Sequence, residues 1–136
     1  RGMEDVFVAS LMSSPVHTVD GDTSLREAGA VLLDNDIGSV VVVDGGQLVG
    51  ILTTTDFVRV VAEGTESASA SVSAVMSRDV VTIRGNEPIT SAADQMVEAG
   101  HYHLPVVDGT DVIGIVAAAD LAAYVSTVRH PHPPRR

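Results

Sequence analysis

The second half of the chain repeats the first half at a constant offset, and this repeat constrains the fold more than any other feature of the sequence. Residues 8–61 align with residues 72–125 without a gap, and 15 of the 54 aligned pairs are identical. The identical pairs include Met12 with Met76 and Asp56 with Asp120. One register held over this length predicts duplication of a single folding unit. Because one such unit is marginal alone, we expect two copies to share a core and to form a pseudo-twofold cleft.

The repeat divides the chain into four predicted segments. Repeat 1 covers residues 8–61, a flexible linker covers 62–71, repeat 2 covers 72–125 and a disordered tail covers 126–136. The linker is predicted because that stretch is small and polar and has no large apolar residue. The tail is predicted because three prolines follow in quick succession after residue 130.

Each copy shows the pattern β-α-β-β-α, which predicts an α+β fold of two such units packed sheet to sheet. The first strands are expected at Val16–Val19 and Val80–Ile83, and the continuous apolar run Val40–Val43 is expected to be a buried strand. The constant offset and Pro88, which suits a first helical position, place the helix N-caps at Thr23 and Glu87. Second helices are expected to begin near Thr55 and Ala119.

Composition excludes several classes of protein. Aromatic residues make up 3% of the chain and Val is its most frequent residue, so the core must be aliphatic. The net charge is −10 and all eight basic residues are Arg, without a basic run that would favour nucleic acid or an anionic membrane. No apolar run approaches the roughly 20 residues that span a bilayer. The absence of Cys fits a cytoplasmic protein without disulfides or thiolate metal sites.

The ordered motifs of the two copies resemble those of a CBS-domain pair, also called a Bateman module. Each copy ends in Gly-Ile, an aliphatic residue, three small residues and Asp. In copy 1 the matching stretches are Met12-Ser13-Ser14-Pro15-Val16, Asp22-Thr23-Ser24-Leu25, Val41-Val42-Val43-Asp44 and Gly50-Ile51-Leu52-Thr53-Thr54-Thr55-Asp56. In copy 2 they are Val75-Met76, Leu104-Pro105-Val106-Val107-Asp108 and Gly114-Ile115-Val116-Ala117-Ala118-Ala119-Asp120. The ordered set, rather than any single motif, carries the resemblance.

The resemblance implies a regulatory, energy-sensing module that binds adenosine-containing ligands such as AMP, ADP, ATP or S-adenosylmethionine between its repeats. It assigns Asp56 to the ribose hydroxyls and Thr53 to the phosphate, and it assigns Asp120 the ribose role in copy 2. A carboxylate is suited to a vicinal diol, and the N-terminus of a helix is suited to an anion. The simpler alternative for Asp56 is an acidic residue that stabilises the first turn of a helix.

Copy 2 departs from the family pattern because Ala117 stands where copy 1 has Thr53. A phosphate near Asp120 would need another partner, and His103, with His101 as a weaker candidate, is the expected counter-charge. The alternative is that one histidine caps polar groups of the strand and the other is simply exposed. The matching stretch of copy 1 contains Ile37 and Ser39, which are candidate ligand contacts but carry no base. We therefore expect the two sites to differ.

The resemblance also implies that the first strand of the opposite copy forms the adenine pocket. Val80 and Thr82 would then serve Asp56, and Val16 and Thr18 would serve Asp120. Apolar side chains would sandwich the base while strand backbone reads its edge. Ordinary core packing explains the two valines equally well.

Three other functions have less support in the sequence. Catalysis is disfavoured because the chain has neither a nucleophile-elbow context nor a phosphate-binding P-loop. We expect that the module requires no cofactor. A transition-metal site could use His101 and His103 on one strand face, to which His130 and His132 could add ligands. The third is a ligand-free scaffold that docks a partner protein. In every case the apolar helices near Phe57–Val61 and Leu121–Val125 predict a homodimer.

Overall fold

The computed structural model describes residues 5–128 and confirms the β-α-β-β-α order in both repeats. Repeat 1 contains β1 (Thr18–Asp20), α1 (Leu25–Asn35), β2 (Ser39–Asp44), β3 (Gln47–Thr53) and α2 (Thr54–Glu63). Repeat 2 contains β4 (Ile83–Arg84), α3 (Ile89–Ala99), β5 (His103–Asp108), β6 (Asp111–Ala117) and α4 (Ala118–Val128).

Each repeat builds its own three-stranded sheet. In repeat 1 the central strand β2 pairs in parallel with β1 and antiparallel with β3, and the order β4-β5-β6 has the same pattern. Val40, Val41 and Val42 are fully buried, which explains the continuous apolar run in the sequence. Gly45 and Gly46 both have positive φ and so allow the tight turn between β2 and β3.

The first strands and first helices begin later than predicted. β1 starts at Thr18 and β4 contains only Ile83–Arg84, so Val16, Val80 and Thr82 precede the strands. The N-cap of α1 is Ser24, whose hydroxyl accepts the N–H of Glu27 at 3.1 Å.

In repeat 2 the N-cap of α3 is Pro88, so neither Thr23 nor Glu87 caps a helix. The Glu87 carboxylate instead accepts the Arg84 N–H at 3.0 Å. Glu87 therefore closes the preceding turn, which shifts the helix start by one residue.

The linker lies on the surface, and two of its carbonyls pair with the first turn of α1. Ala70 and Ala68 carbonyls accept the N–H groups of Leu25 and Arg26 at 2.9 and 3.0 Å. These N–H groups have no partner within α1, so the linker supplies acceptors that the helix needs. At the other boundary α4 runs to Val128, past the predicted end of repeat 2. Tail residues 129–136 lie outside the described residues.

The segments before each first strand are exchanged between the repeats. We call residues 7–13 and 71–77 the lead-in segments. Val8 is buried in the core of repeat 2, and Val72 is buried in the core of repeat 1. Ser77 exchanges two backbone hydrogen bonds of 2.9 Å with Ile51 at the edge of β3. The exchange ties the two repeats into one unit and brings the start of the second repeat beside β3.

Candidate functional site

Asp56 lies in the first turn of α2 and is held by Thr53 and Arg59. Its Oδ2 atom accepts the Thr53 N–H at 2.8 Å and, over a longer 3.4 Å, the Thr53 hydroxyl. Its Oδ1 atom accepts a hydrogen bond from Nη1 of Arg59 at 3.0 Å. The Asp56 side chain is 11% exposed, whereas the Arg59 side chain is 55% exposed. The carboxylate is therefore fixed at the N-terminus of the helix with Arg59 on its solvent side.

Thr53 and Asp56 open into a cleft of about 450 Å³ that both repeats line. The cleft is hereafter called the Asp56 cleft. Repeat 2 contributes the segment that precedes and begins β5, together with one residue of its lead-in segment. The lining residues are Ile51, Thr53, Thr55, Asp56, Arg59, Ser77, Gly100, His101, Tyr102 and His103. The arrangement gathers one carboxylate, one guanidinium and two imidazoles from elements far apart in the sequence.

The two histidines line the Asp56 cleft, and His103 also responds to the charge of Asp120. The expectation was that His101 and His103 serve the Asp120 cleft, but both line the Asp56 cleft. The cause is the position of β5: its first residue, His103, pairs with Ala117 at the end of β6, and its ring crosses to repeat 1. There a methyl group on Gly38 would lie 3.1 Å from Nε2 of His103, so the glycine leaves room for the ring.

His103 also remains in the field of Asp120. Burial lowers the pKa of His103 below its ordinary value of 6.5, and the Asp120 carboxylate partly opposes this shift. Desolvation dominates because the partly buried ring loses water that would stabilise the charged form. The imidazole therefore lines the Asp56 cleft while the charge of Asp120 in repeat 2 acts on it.

The position of Asp120 repeats only part of the Asp56 arrangement. Its Oδ2 atom accepts the Ala117 N–H at 2.8 Å, as Asp56 accepts that of Thr53. Repeat 2 has Ala117 at the position of Thr53 and Ala123 at the position of Arg59. These two positions therefore lack the hydroxyl and the guanidinium that repeat 1 supplies, in line with the expectation that the sites differ.

The other predicted contacts of repeat 1 are scattered. Ser39 is 6% exposed and pairs with Thr53 at the end of the β2–β3 ladder. Ile37 packs against the core of repeat 1, and Thr18 is exposed and borders a separate shallow cavity. Ile37 thus does not line the Asp56 cleft, and contact of Thr18 with a ligand at Asp120 stays a prediction.

The residues predicted for the adenine pocket lie at or just before the first strands. Val16, Val80 and Thr82 are partly buried, and the latter two do not line the Asp56 cleft. Ser77 does, because its hydrogen bonds with Ile51 hold the lead-in segment beside β3. Repeat 2 therefore reaches Asp56 through residues just before the predicted strand, and contact of Val80 or Thr82 with a base stays a prediction.

Sequence reasoning missed Arg59 as a member of the site. The signal was present, since Arg59 follows Asp56 by three positions and so lies on the same face of α2 one turn later. It also missed Thr55, which belongs to the quoted motif before Asp56, and Ser77.

Two further observations concern metals and membranes. Residues 5–128 contain no group of three or more His, Asp or Glu side chains placed to hold a metal ion. His130 and His132, which the metal hypothesis also used, lie outside the described residues. Over the described part of the chain, every helix is too short or too polar to cross a membrane.

Comparison with known proteins identifies the family. The model of the CBS domain matches residues 8–63 and again residues 72–127. The chain is 34% identical over 116 residues to CBS domain-containing protein YhcV of Bacillus subtilis, covering 85% of this chain and 82% of that protein. It is 31% identical over 118 residues to L-aspartate semialdehyde sulfurtransferase of Methanocaldococcus jannaschii, covering 85% of this chain but 22% of that enzyme.

A solved structure agrees with these matches. The CBS domain pair of protein MJ0100, in complex with 5′-methylthioadenosine and S-adenosyl-L-methionine, superposes with a TM-score of 0.85 and 28% identity. The superposition covers 91% of this chain and 98% of that one. With two matches of the domain and a fold of two exchanged β-α-β-β-α repeats, the chain belongs to the CBS domain family and contains a CBS domain pair.

Proposed function

We propose that this chain is a regulatory module that binds an adenosine-containing ligand, such as AMP, ADP, ATP or S-adenosylmethionine, in the Asp56 cleft. The observation that carries the proposal is the convergence of Thr53 and Asp56 from repeat 1 with His101 and His103 from repeat 2 on one cleft. The related pair of protein MJ0100, which binds two adenosine-containing ligands, supports the ligand class.

Each group has a chemical role that suits such a ligand. Asp56 is an acceptor for the ribose hydroxyls, which would approach its Oδ1 atom because Oδ2 already accepts the Thr53 N–H. Thr53 and the N–H groups at the start of α2 favour the phosphate. His101 and His103 supply counter-charge when protonated. We assign these histidines to the Asp56 cleft, in place of the Asp120 role that the sequence predicted.

The function is regulatory rather than catalytic in this proposal. The match to the sulfurtransferase covers 22% of that enzyme, so the resemblance reaches a module of the enzyme and not its whole chain. The ligand would act by stabilising one arrangement of the two repeats, because both repeats line the cleft.

The direct test is isothermal titration calorimetry with AMP, ADP, ATP and S-adenosylmethionine. Asp56→Asn keeps an acceptor for the Thr53 N–H but removes the negative charge, so we expect it to weaken binding of the best ligand by about 1–3 kcal/mol. Asp44→Asn is the matched control, since Asp44 is exposed at a hairpin and the charge change is equal. Unchanged affinity in Asp56→Asn would remove Asp56 from the site, and no binding of any ligand would contradict the proposed function.

A second candidate function is a scaffold that dimerises and docks a partner protein. The observation that favours it is an apolar groove of about 570 Å³ between α1 and α2, edged by Leu33 and Val61, each 84% exposed. We propose that a second copy of the chain covers this groove. Dimerisation is compatible with ligand binding, because the Asp56 cleft and the groove have different linings.

A further inference from the structure

We infer that Arg59 determines the specificity of the Asp56 cleft and makes it prefer phosphorylated adenosine ligands over unphosphorylated ones. The inference rests on the proposed function, since it concerns which member of the ligand class the cleft selects. Among the residues that line the cleft, Arg59 is the one Arg or Lys side chain. A guanidinium stays charged at all physiological pH values, unlike the two imidazoles beside it.

The geometry leaves most of the guanidinium available to a ligand. Its Nη1 atom donates to Oδ1 of Asp56 at 3.0 Å, and in residues 5–128 this is the one side-chain hydrogen bond that Arg59 makes. An arginine has five N–H donors, so four remain. The side chain is 55% exposed and lies at the mouth of the cleft, where its planar fork matches the oxygens of a phosphate.

Asp56 and Arg59 would be engaged together when a nucleotide binds. Oδ2 of Asp56 is occupied by the Thr53 N–H, so a ribose hydroxyl would approach Oδ1, which Arg59 now contacts. The guanidinium would then share or leave this oxygen and turn to the phosphate. Asp56 and Arg59 also border a second cavity of about 220 Å³, so the side chain has space beside its present position.

The comparison within the chain points the same way. Asp120 repeats the backbone contact of Asp56, but Ala123 stands at the position of Arg59. The two repeats thus share the carboxylate, and only one of them has a guanidinium beside it. Without a guanidinium beside the carboxylate, a nucleotide loses a partner for its phosphate. An adenosine ligand that has no phosphate loses no such contact.

The test compares AMP with adenosine by calorimetry on the full chain at pH 7.5 and fixed ionic strength. We expect the wild type to bind AMP more tightly than adenosine. Arg59→Ala should lower the affinity for AMP by about tenfold, because a charge-assisted hydrogen bond to phosphate is lost. The affinity for adenosine should stay within about twofold of the wild type. Arg59→Lys should keep part of the preference, since it keeps the charge but not the fork.

Arg78→Ala is the matched control. Arg78 is exposed outside the Asp56 cleft, and its removal changes the net charge equally. Loss of AMP affinity in this control comparable to that in Arg59→Ala would overturn the inference, as would equal weakening of AMP and adenosine in Arg59→Ala. A wild type that binds both ligands equally would overturn the inference alone. A wild type that binds neither would also overturn the inference, and the proposed function would fall with it only if ADP, ATP and S-adenosylmethionine did not bind either.

Discussion

The charge state of His103 depends on its burial and on Asp120. Its ring lines the Asp56 cleft, while Asp120 acts on it from the other side. Arg59 and His101 are the other basic groups of the cleft, and Asp56 is its acidic group. Burial lowers the pKa of His103, so the free protein holds it largely neutral at pH 7. A bound phosphate would favour the charged form and raise the pKa.

Because burial lowers the pKa of His103 and a bound phosphate would raise it, we expect proton uptake when an anionic ligand binds. AMP affinity should be highest at low pH and should fall as pH rises through the pKa of the bound state. Calorimetry at pH 6.5 in buffers of different ionisation enthalpy measures the protons taken up. We expect less uptake in His103→Gln than in the wild type. This comparison also removes the titration of the ligand, because phosphate itself loses a proton near pH 6. Equal uptake in the two proteins would exclude a phosphate role for His103.

The same lowered pKa has the opposite consequence for the stability of the free protein. At pH values between the lowered pKa of His103 in the folded protein and its ordinary value of 6.5, the unfolded chain binds more protons at His103 than the folded chain does. The free energy of unfolding should therefore fall as pH drops below about 6.5, and be retained above it. Urea denaturation at pH 7.5 and 5.5 should show a smaller loss for His103→Gln than for the wild type. His17→Gln, at an exposed histidine, is the control and should match the wild type.

Much of the site could be predicted at the residue level, and one part could not. The recurrence of Asp56 and Asp120 at one offset identified the carboxylates, because position in a repeat is a sequence property. Assignment of His103 to a cleft needed the direction in which β5 presents its first side chain. That direction depends on contact with Gly38, which belongs to the other repeat and matches no motif. Arg59 could have been found from helical spacing alone.

At the scale of elements, local pattern predicted the order of helices and strands, and tertiary contacts decided where they begin. The buried run around Val41 and the glycines after Asp44 specify a strand and a turn by themselves. The start of α1 and the linker are set together, since Ala70 and Ala68 accept N–H groups of the helix. The exchange of lead-in segments could not be predicted, because Val8 is equally apolar against either sheet.

The exchanged lead-in segments give Gly50 a packing role that can be tested. A methyl group at Gly50 would lie 2.6 Å from Sδ of Met76 and 2.9 Å from the carbonyl oxygen of Ser77. The Met76 side chain can move, but the Ser77 carbonyl is held by its bond to the Ile51 N–H. Gly50→Ala should therefore lower the free energy of unfolding by about 1–3 kcal/mol through overpacking.

Urea denaturation measures this loss, and Gln47→Ala in the exposed part of β3 is the control. Gly114→Ala should behave like Gly50→Ala, since a methyl group at Gly114 would lie 2.7 Å from Sδ of Met12 and 2.9 Å from the carbonyl oxygen of Ser13. A Gly50→Ala midpoint equal to that of the wild type would mean that the lead-in segment shifts freely, and the repeats would then be less tightly joined than the hydrogen bonds indicate.

At the scale of the whole molecule, the exposed apolar side chains are unevenly distributed. Leu33, Val58 and Val61 are 84%, 67% and 84% exposed on the α1–α2 side, and Val97 is 79% exposed on α3. The groove between α1 and α2 includes Phe57 and few polar groups. An apolar face of this kind is unfavourable in water, and a two-fold partner would bury the same face of both copies.

The proposed homodimer predicts how mass depends on sequence and on salt. Light scattering at micromolar concentration should give twice the chain mass of 14.1 kDa. Leu33→Glu should shift the protein to the monomer, because it places a charge in the buried face. Gln47→Glu adds the same charge at an exposed strand position and should remain dimeric. Each copy carries a net charge of −10, so added salt should strengthen the dimer by screening repulsion between copies. A wild-type mass equal to that of a single chain at all salt concentrations would contradict the dimer and leave the groove as a surface for a different protein.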